Sequence, residues 1–160
     1  MEEATMKSYK DLVNDCLDAV HEIFPWDLAE EMQAGNHPLL IDIREPYEYE
    51  AMHIKDSINV PRGILESACD YGYEETVPEL AAARDSDVVV ICRSGYRSVL
   101  AAYTMQLMGY TNVRSLKTGL RGWNDDERPL LDNRGLQVEL EDADHYFRSN
   151  VRSEQFKPEL

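Results

Sequence analysis

The chain has 160 residues, 43% of them apolar, and a formal net charge of -15. That length holds one α/β domain of ordinary size and is too short for two full ones, and the composition excludes collagenous, coiled-coil and wholly disordered chains. So acidic a surface repels phosphate backbones, which argues against a nucleic-acid partner, and an anionic substrate would need cations placed at its own site.

Residues 1–9 mix acids with few apolar side chains, unlike a signal peptide. No apolar run approaches membrane-spanning length, so a soluble, cytoplasmic protein with no membrane partner is expected. Over residues 7–21, Leu12, Val13, Cys16, Leu17 and Val20 recur at helical spacing, with Asp11, Asp15 and Asp18 mostly off that face. Ile23-Phe24 suggests a short edge strand closed by Pro25, and a second helix from Trp26-Asp27 through Met32 stops at Gly35. Leu39-Leu40-Ile41-Asp42-Ile43 reads as a buried strand. Residues 64–83 show no clear period. Val88-Val89-Val90-Ile91 is the strongest strand and ends at Cys92. A helix opens near Arg97-Ser98 and stops at Gly109, Asn112 to Leu116 forms another strand, and a loop follows at Gly119 and Gly122. Residues 132–160 are rich in charge and weak in periodicity, as in an appended, partly ordered extension. No internal repeat is present. Strands alternating with helices predict a mainly parallel sheet covered on both faces.

The three cysteines, Cys16, Cys69 and Cys92, are few, odd in number and widely spaced. They predict free thiols in a reducing compartment rather than a disulfide framework, and no Cys/His cluster suggests a metal. No cofactor is expected.

The informative segment is Cys92-Arg93-Ser94-Gly95-Tyr96-Arg97-Ser98, between a buried strand and a helix. Ligands in open α/β sheets bind at such strand ends. A loop curling there turns successive N–H groups inward, and the helix start adds the positive end of its dipole, so an anion is stabilised at the loop centre. That anion can be the thiolate of Cys92, with Arg93 and Arg97 as the local cations. Gly95 permits a backbone shape that a side chain resists. Ser98 can donate to sulfur or cap the helix. The bland alternative, a small inert cysteine at a strand end, fits a lone cysteine better than this combination.

The loop and the segments around it resemble the rhodanese family. Asp42, Arg44 and Glu45 followed by Glu48-Tyr49 are similar to its D-x-R-E…E-Y/F segment. His53-Ile54 and Ile58-Asn59-Val60-Pro61 are similar to its next stretch, residues 92–98 to its C-x-x-G-x-R-S loop, and Gly109 to Val113 and Gly119 to Trp123 to its closing motifs. The family's glycines are replaced by Met52, Asp56 and Thr118. The resemblance implies a three-layer α/β/α sandwich around a mainly parallel sheet of about five strands. It divides the chain into an N-terminal helical extension (residues 1–22), a rhodanese-like domain (23–128) and an acidic C-terminal extension (129–160). It implies a sulfurtransferase with Cys92 as nucleophile, residues 93–98 as the persulfide-binding loop, and Asp42 and Arg44 as supporting residues.

The expected chemistry moves sulfane sulfur from thiosulfate or a persulfide to a thiol acceptor or cyanide, in two steps through a Cys92 persulfide. The partners implied are a small-molecule donor and a thiol acceptor, with a protein sulfur carrier in a relay as the first alternative and a regulatory interaction module as the second. Four residues separate Cys92 from Arg97, whereas cysteine phosphatases place five in the corresponding ring, so phosphatase chemistry is disfavoured. His53 reads as a structural histidine, because an ionised thiol needs no base. Trp123 and Cys16 read as core. Cys69 reads as a bystander thiol, with resolution of a Cys92 persulfide as its alternative role.

Overall fold

A computed structural model describes residues 5–159. The start of the N-terminal segment read as unlike a signal peptide, residues 1–4, lies outside the described residues, as does Leu160. Five strands form one all-parallel sheet in the order β1 (His21–Ile23), β5 (Val113–Leu116), β4 (Val88–Ile91), β2 (Leu39–Asp42), β3 (Ile58–Asn59). The α/β sandwich and the parallel sheet expected from the sequence are both present.

Alternation along the strands divides the core. Ile41, Val88, Val90 and Val113 pack with Val13 of α1 (Tyr9–Cys16), Leu65 and Ala68 of α4 (Leu65–Cys69), and Val99, Ala102 and Met105 of α6 (Arg97–Leu107). Leu40, Val89, Ile91 and Leu116 face the other way, against Leu28 of α2 (Pro25–Gln33), Leu120 and Trp123 of α7 (Gly119–Asp125), and Ala143 of α8 (Leu140–Tyr146). A parallel strand buried on both faces needs apolar residues at every position, which is why the valine run is continuous. The period of two also sends Cys92 to the α6 side, opposite Ile91.

Two expectations change. The helix of residues 7–21 is only Tyr9–Cys16, held at its start by a Ser8–Asp11 capping box. The chain then turns so that His21–Ile23 can pair with Arg114, Ser115 and Leu116, and sheet pairing overrides helical continuation. The Gly119/Gly122 segment is the helix α7 rather than a loop. The region without a clear period holds two short helices, α4 and α5 (Pro78–Ala81), joined by turns. Between β2 and α4 lie α3 (Pro46–Ala51) and β3.

Residues 129–147 are tied to the sheet layer. His53 and Leu131 exchange backbone hydrogen bonds of 2.9 and 2.8 Å, and Phe147 is buried beside Ala143.

Two of the replaced glycines have a measurable signature. Asp56 and Thr118 adopt left-handed backbone at φ 66° and 65°, where a Cβ is strained, while Met52 is extended and needs no glycine. Asp56→Gly and Thr118→Gly are each expected to raise stability by about 0.5–1 kcal/mol, the relief of strain less the greater freedom of glycine when unfolded. Urea midpoints measure it.

Candidate active site

β4 is the central strand, and the chain leaves β2 outward to β3 but leaves β4 the opposite way to β5. The divergence opens a crevice at the C-terminal ends of the strands. Cys92 stands there, one residue past Ile91, which pairs with Asp42.

The loop after Cys92 folds back on its sulfur. The Gly95 N–H donates to Sγ at 3.1 Å and the Ser98 N–H at 3.3 Å. Ser98 Oγ is 3.3 Å from Sγ and 2.7 Å from Ser115 Oγ on β5. With a thiol, Cys92 donates to Ser98; with a thiolate, the Ser98 hydroxyl can turn to donate to sulfur. Cys92 is 1% exposed and both serines are fully buried, so the sulfur lies at the floor of the loop.

Gly95 has φ 93°, and a Cβ there would stand 2.8 Å from the Thr118 nitrogen. Gly119 is tighter: a Cβ would lie 2.5 Å from the Cys92 carbonyl oxygen. That close approach lets the amides of Leu120 and Arg121 donate to the carbonyls of Cys92 and Arg93, each at 2.9 Å. The first amides of α7 therefore hold these carbonyls turned away from the sulfur.

The predicted site residues fall into separate roles. Arg97 does not present a bare cation: its Nη1 and Nη2 donate to the two Glu48 carboxylate oxygens at 3.1 Å each. Burial alone would raise the Glu48 carboxyl, but the hydrogen bonds and charge of Arg97 outweigh it and hold the group below its ordinary value. Arg93 reaches toward the C-terminal segment, donating to the Arg148 carbonyl at 3.2 Å. Ser94 is exposed, and Tyr96, 41% exposed, meets the ring of Tyr9 edge-on at 5.7 Å. Asp42 and Arg44 form a fully buried pair, with Arg44 Nη2 2.8 Å from Asp42 Oδ2 and 2.7 Å from the Met52 carbonyl. The Asn59 amide ties the backbone carbonyls of Asp42 and Arg44 together at 3.0 Å each. That network braces the neighbouring strand end.

His53 is structural: Nδ1 lies 2.8 Å from the Tyr49 carbonyl and its ring stacks on Tyr49. Trp123 is core, its indole donating to the Pro129 carbonyl at 2.9 Å. Cys69 is buried on α4, where burial pushes its thiol up and Tyr110 partly opposes that.

Sequence reasoning missed Ser115, Glu48 as the partner of Arg97, and Tyr9. Ser115 carried a signal, a hydroxyl inside a buried strand that must find a partner. Tyr9 carried none. Burial, and then the charge of Cys92, push its phenol up, so α1 borders the site.

A loop-cradled cysteine at the switch point of a parallel α/β sandwich is the class that fold and site define. The Rhodanese-like domain model matches residues 25–126, and the chain belongs to that family. It is 33% identical over 113 residues to a sulfurtransferase of Allochromatium vinosum, covering 70% of this chain and 95% of that protein. It is 32% identical over 112 residues to the adenylyltransferase and sulfurtransferase UBA4 of Candida albicans; this covers 70% of the chain but only 25% of that longer protein. Among solved structures, a protein of unknown function from Rhodopseudomonas palustris, described as a possible tyrosine phosphatase, superposes with a TM-score of 0.72 at 27% identity, covering 81% of this chain and 98% of that one.

The Glu48–Arg97 pair sets a pH signature. A carboxyl depressed by folding contributes its full stability above the unfolded-state value and loses it as pH falls through the folded-state value. Glu48→Gln is expected to cost about 1–2 kcal/mol near neutral pH, the pair being partly open to solvent. In urea titrations the gap to wild type should narrow through the ordinary carboxylate range and be smallest in the most acidic buffer.

Proposed function

We propose that the protein is a rhodanese-type sulfurtransferase that carries sulfane sulfur on Cys92. The observation that carries this reading is the set of groups on Sγ: two backbone N–H donors, and the Ser98 hydroxyl, which accepts from the thiol, can turn to donate to a thiolate and is backed by Ser115. Fixed donors in a site closed to water favour negative charge on sulfur and need no rearrangement as it develops.

Ionised Cys92 attacks the outer sulfur of thiosulfate or a persulfide. The S–S bond of the donor breaks and sulfite or a thiolate leaves. The cradle then holds Cys92–S–S⁻, and an acceptor thiolate, or cyanide in an assay, takes the outer sulfur and restores the thiolate. Two covalent half-reactions give ping-pong kinetics. Residues 93–98 form the loop, Arg97 and Glu48 set its outer wall, and Asp42 and Arg44 stiffen the adjacent strand end. The three unpaired cysteines fit a reducing, cytoplasmic setting. Among the described residues, no helix is long and apolar enough to cross a membrane.

Relatedness to the Candida adenylyltransferase and sulfurtransferase favours one second reading, a relay in which donor or acceptor is a protein. The chemistry at Cys92 is unchanged. A purely regulatory module has no need of the donors around the sulfur. For a phosphatase the four-residue spacing to Arg97 is too short, and a chromogenic phosphate ester is expected to stay intact.

Mass spectrometry after exposure to thiosulfate or a persulfide should find one added sulfur on Cys92 and none on Cys16 or Cys69. Cys92→Ser should take up none; transfer retained by that variant overturns the proposal. Ser98→Ala should slow loading about a hundredfold, and Ser115→Ala, acting through Ser98, about tenfold.

A further inference from the structure

The two amides on the Cys92 sulfur are unevenly supported. At one end of the loop, α7 holds the carbonyls of Cys92 and Arg93. At the other, Ser98 belongs to α6. Between them Ser94 is exposed, and Gly95, at φ 93°, has no side chain to anchor it. Tyr96 opens α6 without a side-chain hydrogen bond to cap it. On the α1 side the loop faces a recess of about 450 Å³, with Ser94, Gly95 and Tyr96 on one wall and Val13 and Leu17 on the other. A glycine beside open space turns readily, and a turn at Gly95 swings its N–H off the sulfur.

One contact bridges α1 and the loop beside this recess. The Tyr9 ring meets Tyr96 at 5.7 Å with an interplanar angle of 83°, a favourable arrangement for an aromatic pair. Local sequence puts Tyr9 there. The Ser8–Asp11 capping box fixes where α1 begins, so Tyr9 is its first residue. Val13, one turn further on the same face, is buried in the core that holds Val99 of α6. Gln106, near the end of α6, donates to the Ala19 carbonyl just past α1 at 2.9 Å. The two helices therefore lie side by side in the same direction, with Tyr9 against the start of α6. The charge of Cys92 felt by the Tyr9 phenol agrees with that placement.

We propose that Tyr9 is a positioning residue of the active site: its ring braces Tyr96 and so keeps the Gly95 N–H aimed at the Cys92 sulfur. The N-terminal helix is then part of the sulfur site, although it precedes the rhodanese-like residues 25–126. The ring carries this role and the hydroxyl does not. The proposal deepens the sulfurtransferase reading and rests on it for the loading assay alone.

Amide hydrogen exchange on the full chain, read by NMR, tests the brace directly. In Tyr9→Ala the Gly95 amide should exchange about tenfold faster, the effect of losing one aromatic pair and its packing. The Val89 and Val90 amides of β4 should keep their wild-type rates and so report that the fold is intact. Tyr9→Phe keeps the ring and should match wild type, as should Leu12→Ala, which removes another exposed side chain from the same helix. Single-turnover loading of Cys92 from thiosulfate, followed by mass spectrometry, should slow about tenfold in Tyr9→Ala and recover in Tyr9→Phe. Unchanged Gly95 exchange in Tyr9→Ala overturns the proposal, as does loading by that variant at the wild-type rate. Equal acceleration at Gly95 and in β4 also overturns it, since that is a general loss of stability. So does a Tyr9→Phe that behaves like Tyr9→Ala, which assigns the role to the hydroxyl. If no donor loads wild-type Cys92 but Gly95 exchange responds as expected, the transfer reading falls and the brace stands.

Discussion

Two amide hydrogens pointed at one sulfur, those of Gly95 and Ser98, require the rest of the architecture. The loop that presents them also carries the carbonyls of Cys92 and Arg93 toward α7, and a buried carbonyl must find a donor. Here α7 supplies the donors for Cys92 and Arg93, which is possible only because Gly119 lets the two backbones approach. The cradle is thus made by the loop and two helix starts: Gly95 of the loop and Ser98 of α6 give amides to sulfur, and α7 gives amides to the carbonyls of the loop. β4 and β5 fix their spacing, and Ser115 extends the network to the sheet.

Much of this was legible before any coordinates. The valine run predicts a central strand because only a strand covered on both faces buries four consecutive apolar residues. Cys92, Gly95 and Ser98 are predicted to form the loop because a thiol, a glycine and a helix start coincide there. Other parts were hidden for physical reasons. Residues 7–21 have helical spacing, and nothing local in them reveals that His21–Ile23 will pair with a strand some ninety residues later. The charge of Arg97 looked free because Glu48 is remote in sequence, and long-range ion pairs leave no periodic trace. Gly119 and Gly122 suggested a loop, although the left-handed pair Thr118-Gly119 leads straight into α7.

The same arginines that suggested an anion site show how its electrostatics is divided. Arg97 is held by Glu48, and Arg44 by Asp42, so both act mainly as rigid braces. Arg93 points to the C-terminal segment instead. Positive charge near the loop is thus displaced from the sulfur to its border, and amide dipoles take its place at the centre. Dipoles fixed by the backbone cannot swing away as a long side chain can, and they add no net charge that would bind a departing anion too firmly.

The outermost strands have a consequence for how the molecule behaves among its own copies. β3 pairs through two residues and β1 through three, the shortest in the sheet. Each border therefore offers only a brief row of unsatisfied ladder groups, too short to template another chain. An all-parallel sheet is slow to assemble, since every pairing closes a long stretch of chain, and it exposes strands while it forms. Keeping the perimeter short confines the sticky, valine-rich material to the middle, where neighbours on both sides claim it first.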